Sequence, residues 1–437
     1  MAALTGQGSG LGLEVVVGGL NFPTGLSFGD DDAMYVAESG LPFGGAPRGG
    51  RVWRIVGGRR DLLVEGLRPP VNGVTFRDGF LYITEAGHPS RILRLELATG
   101  RQETVVDGLP GPGNYQTNMV AFGPDGRLYF SQGAMTNTGV IGLDAYDLGW
   151  LQLLPHSRDI PGMDIVVRHA EFATDDPREG GTGHAVTGPF ADFGTVHPEG
   201  TRIPAALPCS SAVMRCDPGG SNLELVAWGL RNAFGLLFLR DGRLIVTDQG
   251  ADDRGSRPVG NVPDLLFAVE PGHWYGWPDY VGAVPICDAR FAPENGAAPE
   301  FILASHDELS APRRPLAEFT SHVAATKLDQ APDGRIAIAM FGDEVPMTAP
   351  SGERVGRNLA IVDPADWSAT FIPTPGLHRP LDVRFGPDGA LYLLDFGHFD
   401  PGRGSMKATP GSGSIVRGEF PAPAGSAHRR TARPGSR

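Results

Sequence analysis

Short apolar runs, rich in β-branched and aromatic residues, alternate along this chain with polar turns. One phrase recurs six times: an apolar run, a turn carrying Asp and usually Gly, then a second apolar run closing on a polar or acidic residue and often glycine. The copies run from Pro23 to Gly40, Asn72 to Gly87, Asn118 to Gly133, Ala233 to Gly250, Thr326 to Gly342 and Asp382 to Gly397. An Asp-Gly pair such as Asp125-Gly126 or Asp388-Gly389 supplies the positive-φ residue of a tight hairpin, and the flanking residues suit strands. Two further strand-like runs follow most hairpins, as in Arg51–Val56 with Asp61–Leu67, or Arg91–Leu95 with Glu103–Leu109. Four strands per unit is a propeller blade. The pattern predicts an all-β, six-bladed β-propeller over residues 1–420.

The sixth unit ends at Ser414–Gly418, one strand short, while Glu14-Val-Val-Val-Gly-Gly-Leu20 repeats the phrase that ends the second unit. The N-terminal strand is therefore expected to complete the last blade, which closes the ring and removes a free sheet edge. The turn glycines Gly126, Gly242 and Gly334 stand much farther apart than Gly79 and Gly126 or Gly334 and Gly389. Long insertions after blades three and four, about 140–208 and 252–320, account for the excess and are expected to form a lid, because long stretches without structure of their own are uncommon unless functional. Residues 421–437, with four Arg and no acid, read as a disordered basic tail.

Composition agrees. With 63 Gly and 39 Pro among 437 residues, the chain is too punctuated for helical bundles, and 41% hydrophobic content is too high for disorder. A net charge of −13 makes nucleic acid and anionic membrane poor partners and leaves a small-molecule substrate as the expected one. No apolar window is long enough to cross a bilayer and no signal segment opens the chain, so it is expected to be cytoplasmic as written, or periplasmic or secreted if this is a mature form. Cys209, Cys216 and Cys287 are too few for a disulfide framework and read as buried or incidental. Only Lys327 and Lys407 are lysines.

In a propeller, inner-strand starts and second-strand ends meet at one mouth of the central channel. Here the starts bring Thr24, Asn72, Tyr115, Arg231-Asn232, His322 and His378-Arg379; the ends bring Glu38, Glu85, Gln132, Asp248-Gln249, Asp343 and Asp395. Carboxylates facing arginines and histidines point to a functional mouth, and Glu38, Glu85 and Asp395 are candidate ligands for a hard cation such as Ca²⁺, which accepts six to eight oxygens without strict geometry. His156, His169, His184 and His197 of the first insertion lack a zinc spacing and read as solvated.

Trp228-Gly-Leu-Arg-Asn-Ala-Phe-Gly235, Asp248-Gln-Gly250 and Tyr275-Gly-Trp-Pro278 resemble the fourth-blade region of the soluble glucose and sorbosone dehydrogenase family. The resemblance implies a six-bladed propeller using pyrroloquinoline quinone (PQQ) with Ca²⁺. It assigns Arg231 and Asn232 to the quinone's carboxylates, matches Arg379 to one of two arginines before the last blade, and assigns the backbone carbonyls of Gln249, Gly250 and Ala251 to Ca²⁺; Arg379 and, from its place at the mouth, Gln132 are further candidate cofactor contacts. The chain departs from the family at three positions: Tyr115 stands where the family has its histidine base, Leu381 where it has a second arginine, and Phe341-Gly342 near its lysine. An unperturbed Tyr, with a pKa of about 10, is a poor base at neutral pH, so His378 or His322 is the expected catalytic base beside Tyr115, and Arg158, Arg168 or Arg254 of the lid the expected source of cations. The leading expectation is an oxidoreductase acting on a sugar-like or polar alcohol or aldehyde. A Ca²⁺-dependent lactonase or related hydrolase, and a noncatalytic or unrelated use of the scaffold, are the alternatives.

Overall fold

The computed structural model describes residues 11–179, 183–402 and 405–422. The six hairpins become six antiparallel blades. Blade one is built from Pro23–Phe28, Met34–Glu38, Gly50–Val56 and Arg59–Leu67, and blade two from Val71–Arg77, Phe80–Glu85, Ser90–Glu96 and Gln102–Leu109. Blade five follows the same order with Ala325–Gln330, Ile336–Met340, Asn358–Val362 and Ala369–Pro373. In blade six, Pro380–Phe385, Leu391–Asp395 and Gly413–Gly418 are completed by the N-terminal strand Leu13–Leu20, with Glu14 opposite Arg417 and Leu20 opposite Gly413. The ring closes as the sequence predicts. Each inner strand contacts the next, and that of blade six contacts that of blade one.

The turn glycines Gly126 and Gly389 have φ of 75° and 74°, the left-handed conformation a tight turn requires. Near the axis the inner strands run so close that a Cβ on Gly73 would lie 2.9 Å from the Asn118 carbonyl oxygen of the next blade. The faces between blades are filled by apolar side chains such as Leu26, Val36, Ile55 and Leu394, which seal blade six against blade one.

The long insertions lie inside blades three and four rather than behind them. Blade three breaks between Leu128–Gln132 and Ala212–Cys216, and blade four on both sides of its third strand, Asp264–Val269. His273–Trp274, from the blade-four insertion, adds a parallel fifth strand to blade three, pairing with Ala227–Trp228. Trp274 Nε1 donates to Trp277 O at 2.9 Å and Trp277 Nε1 to Asn137 O at 3.2 Å. The Tyr275-Gly-Trp-Pro278 segment therefore ties blades three and four together under the site.

One buried cation crosses the channel. Lys327 Nζ, on the inner strand of blade five, donates to Thr24 O at 2.6 Å and Asn72 O at 2.7 Å and stands 3.7 Å from Asp382 Oδ2. It links blades one, two, five and six, and burial pulls its pKa down to about 8. All three cysteines are free, Cys209 and Cys216 buried and Cys287 exposed. Among the described residues, no helix is long and apolar enough to cross a membrane. All but two residues of the tail at 421–437 lie outside the described residues.

Candidate functional site at the channel mouth

Three loops meet at one mouth of the channel: the entry to blade three with Tyr115, the entry to blade four with Arg231-Asn232, and the first residues of the blade-four insertion, Gln249 to Arg254. The Tyr115 hydroxyl donates to Asp252 Oδ2 at 2.6 Å and accepts from Arg254 Nη2 at 2.9 Å and from Arg231 Nη2. Arg231 is buried, and its ring-facing guanidinium lies 4.1 Å from the Tyr115 ring centroid. Arg231 Nη2 also reaches Asp252 Oδ2 at 2.8 Å and Asn137 Oδ1 at 2.7 Å, while Nη1 donates to the carbonyls of Gln249, at 3.3 Å, and Gly250. Arg254 Nε donates to the same Asp252 oxygen at 3.0 Å.

These contacts set the protonation states. Burial alone would raise the Asp252 carboxyl, but the Arg231 and Arg254 charges and the Tyr115 hydroxyl overcome it and hold the pKa at about 2. Burial pushes the Tyr115 phenol well above its ordinary value, despite the arginines beside it. Tyr115 is thus a neutral donor to a fixed carboxylate.

The cluster forms one wall of a cavity of about 100 Å³ that also meets Asn114, His322, Gly342, Glu344 and Met347. His322 has φ of 64°, a conformation few side-chain-bearing residues adopt, and its Nδ1 stands 4.0 Å from Asp252 Oδ1. Burial raises the Glu344 carboxyl against the pull of Arg379. Leu148, Arg254 and Met347 continue into an outer cleft of about 880 Å³, between the short helix Leu143–Asp147 of the first insertion and the residues Pro401, Gly402 and Met406. That volume lies within the ~300–1,000 Å³ of small-molecule sites. Asn114 Nδ2 donates to Asp144 Oδ2 at 2.6 Å, and Arg254 Nη1 lies 3.6 Å from the same oxygen, so the helix is docked against the site.

The other residues singled out in the sequence lie elsewhere or are otherwise engaged. His378 is exposed, with its ring against His398 at 5.5 Å, and does not line the cavity. Arg379 shares the mouth, because its Nη1 donates to Gly342 O at 3.3 Å and Asp343 O at 2.9 Å, but it is buried between the rings of Phe341 and Phe399. Leu381 and Phe341 belong to one apolar cluster with Phe22, Phe396 and Phe399, so an apolar floor covers the side where the family has its lysine and second arginine. Asn232 Nδ2 donates to Gln249 Oε1 at 2.8 Å. Ala251 packs behind the site with Val259, Val262, Ile286 and Phe291. Of the lid arginines only Arg254 reaches the cluster; Arg158 pairs with Asp192 and Arg168 with Leu303 O.

The strand-end acids do not converge. Glu38 accepts from Asn21 N at 2.7 Å, Glu85 from Arg68 N at 2.6 Å and Asp395 from Arg379 N at 2.6 Å, each fastening the loop that enters its own blade. Asp248 does the same for Asn232 N at 2.7 Å, and Gln132 is held by Thr117 Oγ1 and Pro110 O. Among the described residues no three His, Cys, Asp or Glu side chains gather at metal-ligand spacing. The residues that sequence reasoning missed are Asp252, Asn137 and Glu344; Arg254 was expected only as one of three insertion arginines that could supply a cation.

No profile of a known protein family matches the chain, and no curated protein matches it by sequence. Solved structures do match its fold. The PQQ-bound aldose sugar dehydrogenase of Streptomyces coelicolor is 18% identical, with 95% of this chain and 99% of that one covered and a TM-score of 0.56. A Thermus thermophilus chain described as a candidate oxidoreductase (glucose dehydrogenase) is 20% identical over 93% and 99%, with a TM-score of 0.56. The calcium structure of a Trichoderma reesei protein of carbohydrate-active enzyme family AA12 is 14% identical over 95% and 97%, at 0.54. The chain thus has the six-bladed propeller of soluble sugar dehydrogenases.

Proposed function

We propose that the chain is an oxidoreductase resembling the soluble aldose and sorbosone dehydrogenases, oxidising a sugar-like or other polar alcohol or aldehyde at this mouth. The observation that carries the proposal is that Tyr115, Arg231 and the Gln249 and Gly250 carbonyls form one hydrogen-bonded cluster on the wall of a single cavity, with Asn232 tied to it through the Gln249 side chain. The carbonyl pair already receives a positive charge, so its donor set suits a cation. The blade-four side therefore fits the family's cofactor: the Gln249 and Gly250 carbonyls would hold Ca²⁺, and Arg231 with Asn232 the carboxylate edge of PQQ. Bound there, these groups supply the electron acceptor and the charge that polarises it. The blade-six side offers Arg379, with Arg357 beside it on Asp400 Oδ1, over its apolar floor.

The chain's own residues do the rest. His322 is the base that takes the substrate's hydroxyl proton, because Tyr115 is locked as a donor. Glu344, its carboxyl raised by burial, is the second proton-exchanging group on the cavity. Asp252 fixes Tyr115 and Arg254 without itself titrating near neutral pH. The lid helix, docked through Asp144, excludes water. The test is dye reduction by purified protein given PQQ, Ca²⁺ and a panel of aldoses, polyols and aldehydes; absence of substrate-dependent reduction across the panel would overturn the proposal.

A further inference from the structure

The Gln249 and Gly250 carbonyls converge on a positive charge that belongs to the chain itself. Arg231 Nη1 donates to Gln249 O at 3.3 Å and to Gly250 O. Its Nε donates to Asn137 O at 3.2 Å, and its Nη2 to Asn137 Oδ1 at 2.7 Å, Asp252 Oδ2 at 2.8 Å and the Tyr115 hydroxyl. A guanidinium has five N–H donors in a rigid fork and no acceptor, so this arrangement uses its whole capacity.

Resting on the function proposed above, we infer that Arg231 is a built-in cation that keeps the Gln249–Gly250 carbonyl pair closed to a metal ion entering alone, and that a divalent cation binds there only together with an anionic ligand that draws Arg231 away.

Three features of the cluster support this. A hard dication needs several oxygens, and the two carbonyls aimed at its position are already donated to by a group of like charge. Arginine does not deprotonate in proteins, so no accessible pH removes the obstacle. The carboxylate Arg231 leaves behind stays paired: Arg254 Nε holds Asp252 Oδ2 at 3.0 Å, and Arg254 Nη2 holds the Tyr115 hydroxyl at 2.9 Å. Arg231 can therefore leave without orphaning a buried charge, provided it meets another carboxylate, which its fork geometry suits. Cation and anionic ligand then each raise the other's affinity by the same factor.

The experiment titrates CaCl₂ alone, PQQ alone and the two together into the full-length protein, read by calorimetry and thermal unfolding. Wild type is expected to give no saturable response to Ca²⁺ alone and a clear one to the pair. Arg231→Met is expected to bind Ca²⁺ alone at least ~10-fold more tightly than wild type, a ~1.4 kcal/mol difference. Arg254→Met, which leaves Arg231 on the carbonyls, gains nothing. The inference is overturned if wild type binds Ca²⁺ alone as tightly as Arg231→Met does, or if the variant shows no gain. Should Arg231→Met not fold, Arg231→Gln reads the same difference. If wild type ignores PQQ with Ca²⁺ while the variant gains Ca²⁺, the built-in cation stands and the quinone as its exchange partner falls, together with the function proposed above.

Discussion

Tyr115 donates its hydroxyl proton to Asp252 across 2.6 Å, joining the entry of blade three to the insertion of blade four. The direction of this bond decides what Tyr115 does. A phenol whose pKa burial has raised, facing a carboxylate held ionised by two arginines, positions its neighbours and is not a base. Tyr115→Phe should therefore keep kcat within a few-fold and lower stability by ~1–3 kcal/mol, the cost of removing one partner of a buried hydrogen bond. Steady-state rates and thermal unfolding check both. A fall of ~10² or more in kcat would instead mark Tyr115 as the proton acceptor.

His322 and His378 should part company. His322 lines the cavity, and His378 faces solvent. His322→Asn should lower kcat by the ~10²–10⁴ that a positioned base contributes, while His378→Asn should leave it within about two-fold of wild type by the same comparison. The reverse ranking would move the site toward blade six.

The ring was legible in the sequence because a hairpin is a local object: alternation, an Asp-Gly turn and the echo between Glu14–Leu20 and the second unit's last strand were enough for blade count and closure. Tyr115, Arg231 and His322 were legible as inner-strand starts. Arg254 was legible as one of three insertion arginines; Asp252, Asn137 and Glu344 were not, because they come from irregular segments whose return to the mouth depends on long-range packing such as Trp277 against Asn137. The strand-end acids carried a signal of their structural role. Glu38 and Asn21, Glu85 and Arg68, Asp248 and Arg231, and Asp395 and His378 are each 17 residues apart, the fixed distance of a carboxylate fastening the loop that enters its own blade.

Lys327 offers a test of the ring independent of the site. Its removal strips Thr24 O and Asn72 O of a buried donor and leaves Asp382 paired with Arg384 alone, so Lys327→Met should destabilise by roughly 1–3 kcal/mol, the cost of leaving buried acceptors unsatisfied. With the folded pKa at about 8 and the unfolded value at 10.5, the unfolded chain holds the extra proton between these limits. This group alone therefore makes stability rise with pH through that window. Chemical denaturation of wild type and variant across the window should show the rise in wild type only.

Glu344 carries the opposite sign. Its folded pKa is raised, so this carboxyl favours folding below its unfolded pKa and loses that contribution as pH rises through the folded value. Glu344→Gln should be more stable than wild type at pH ~8 and show no such advantage near pH ~4, where the unfolded carboxyl, of pKa ~4.3, is itself largely protonated. Thermal unfolding at the two pH values checks it.

The claim that the mouth is a cofactor-dependent oxidoreductase site is tested most directly by thermal unfolding of the purified protein with PQQ and Ca²⁺ together, followed by sugar-dependent dye reduction in the same sample. The expected result is a saturable rise in midpoint, reflecting ~2.7 kcal/mol of added stability at 100 times the dissociation constant, with dye reduction that needs both groups and is lost in His322→Asn. An unchanged midpoint and no dye reduction with any aldose, polyol or aldehyde would contradict it.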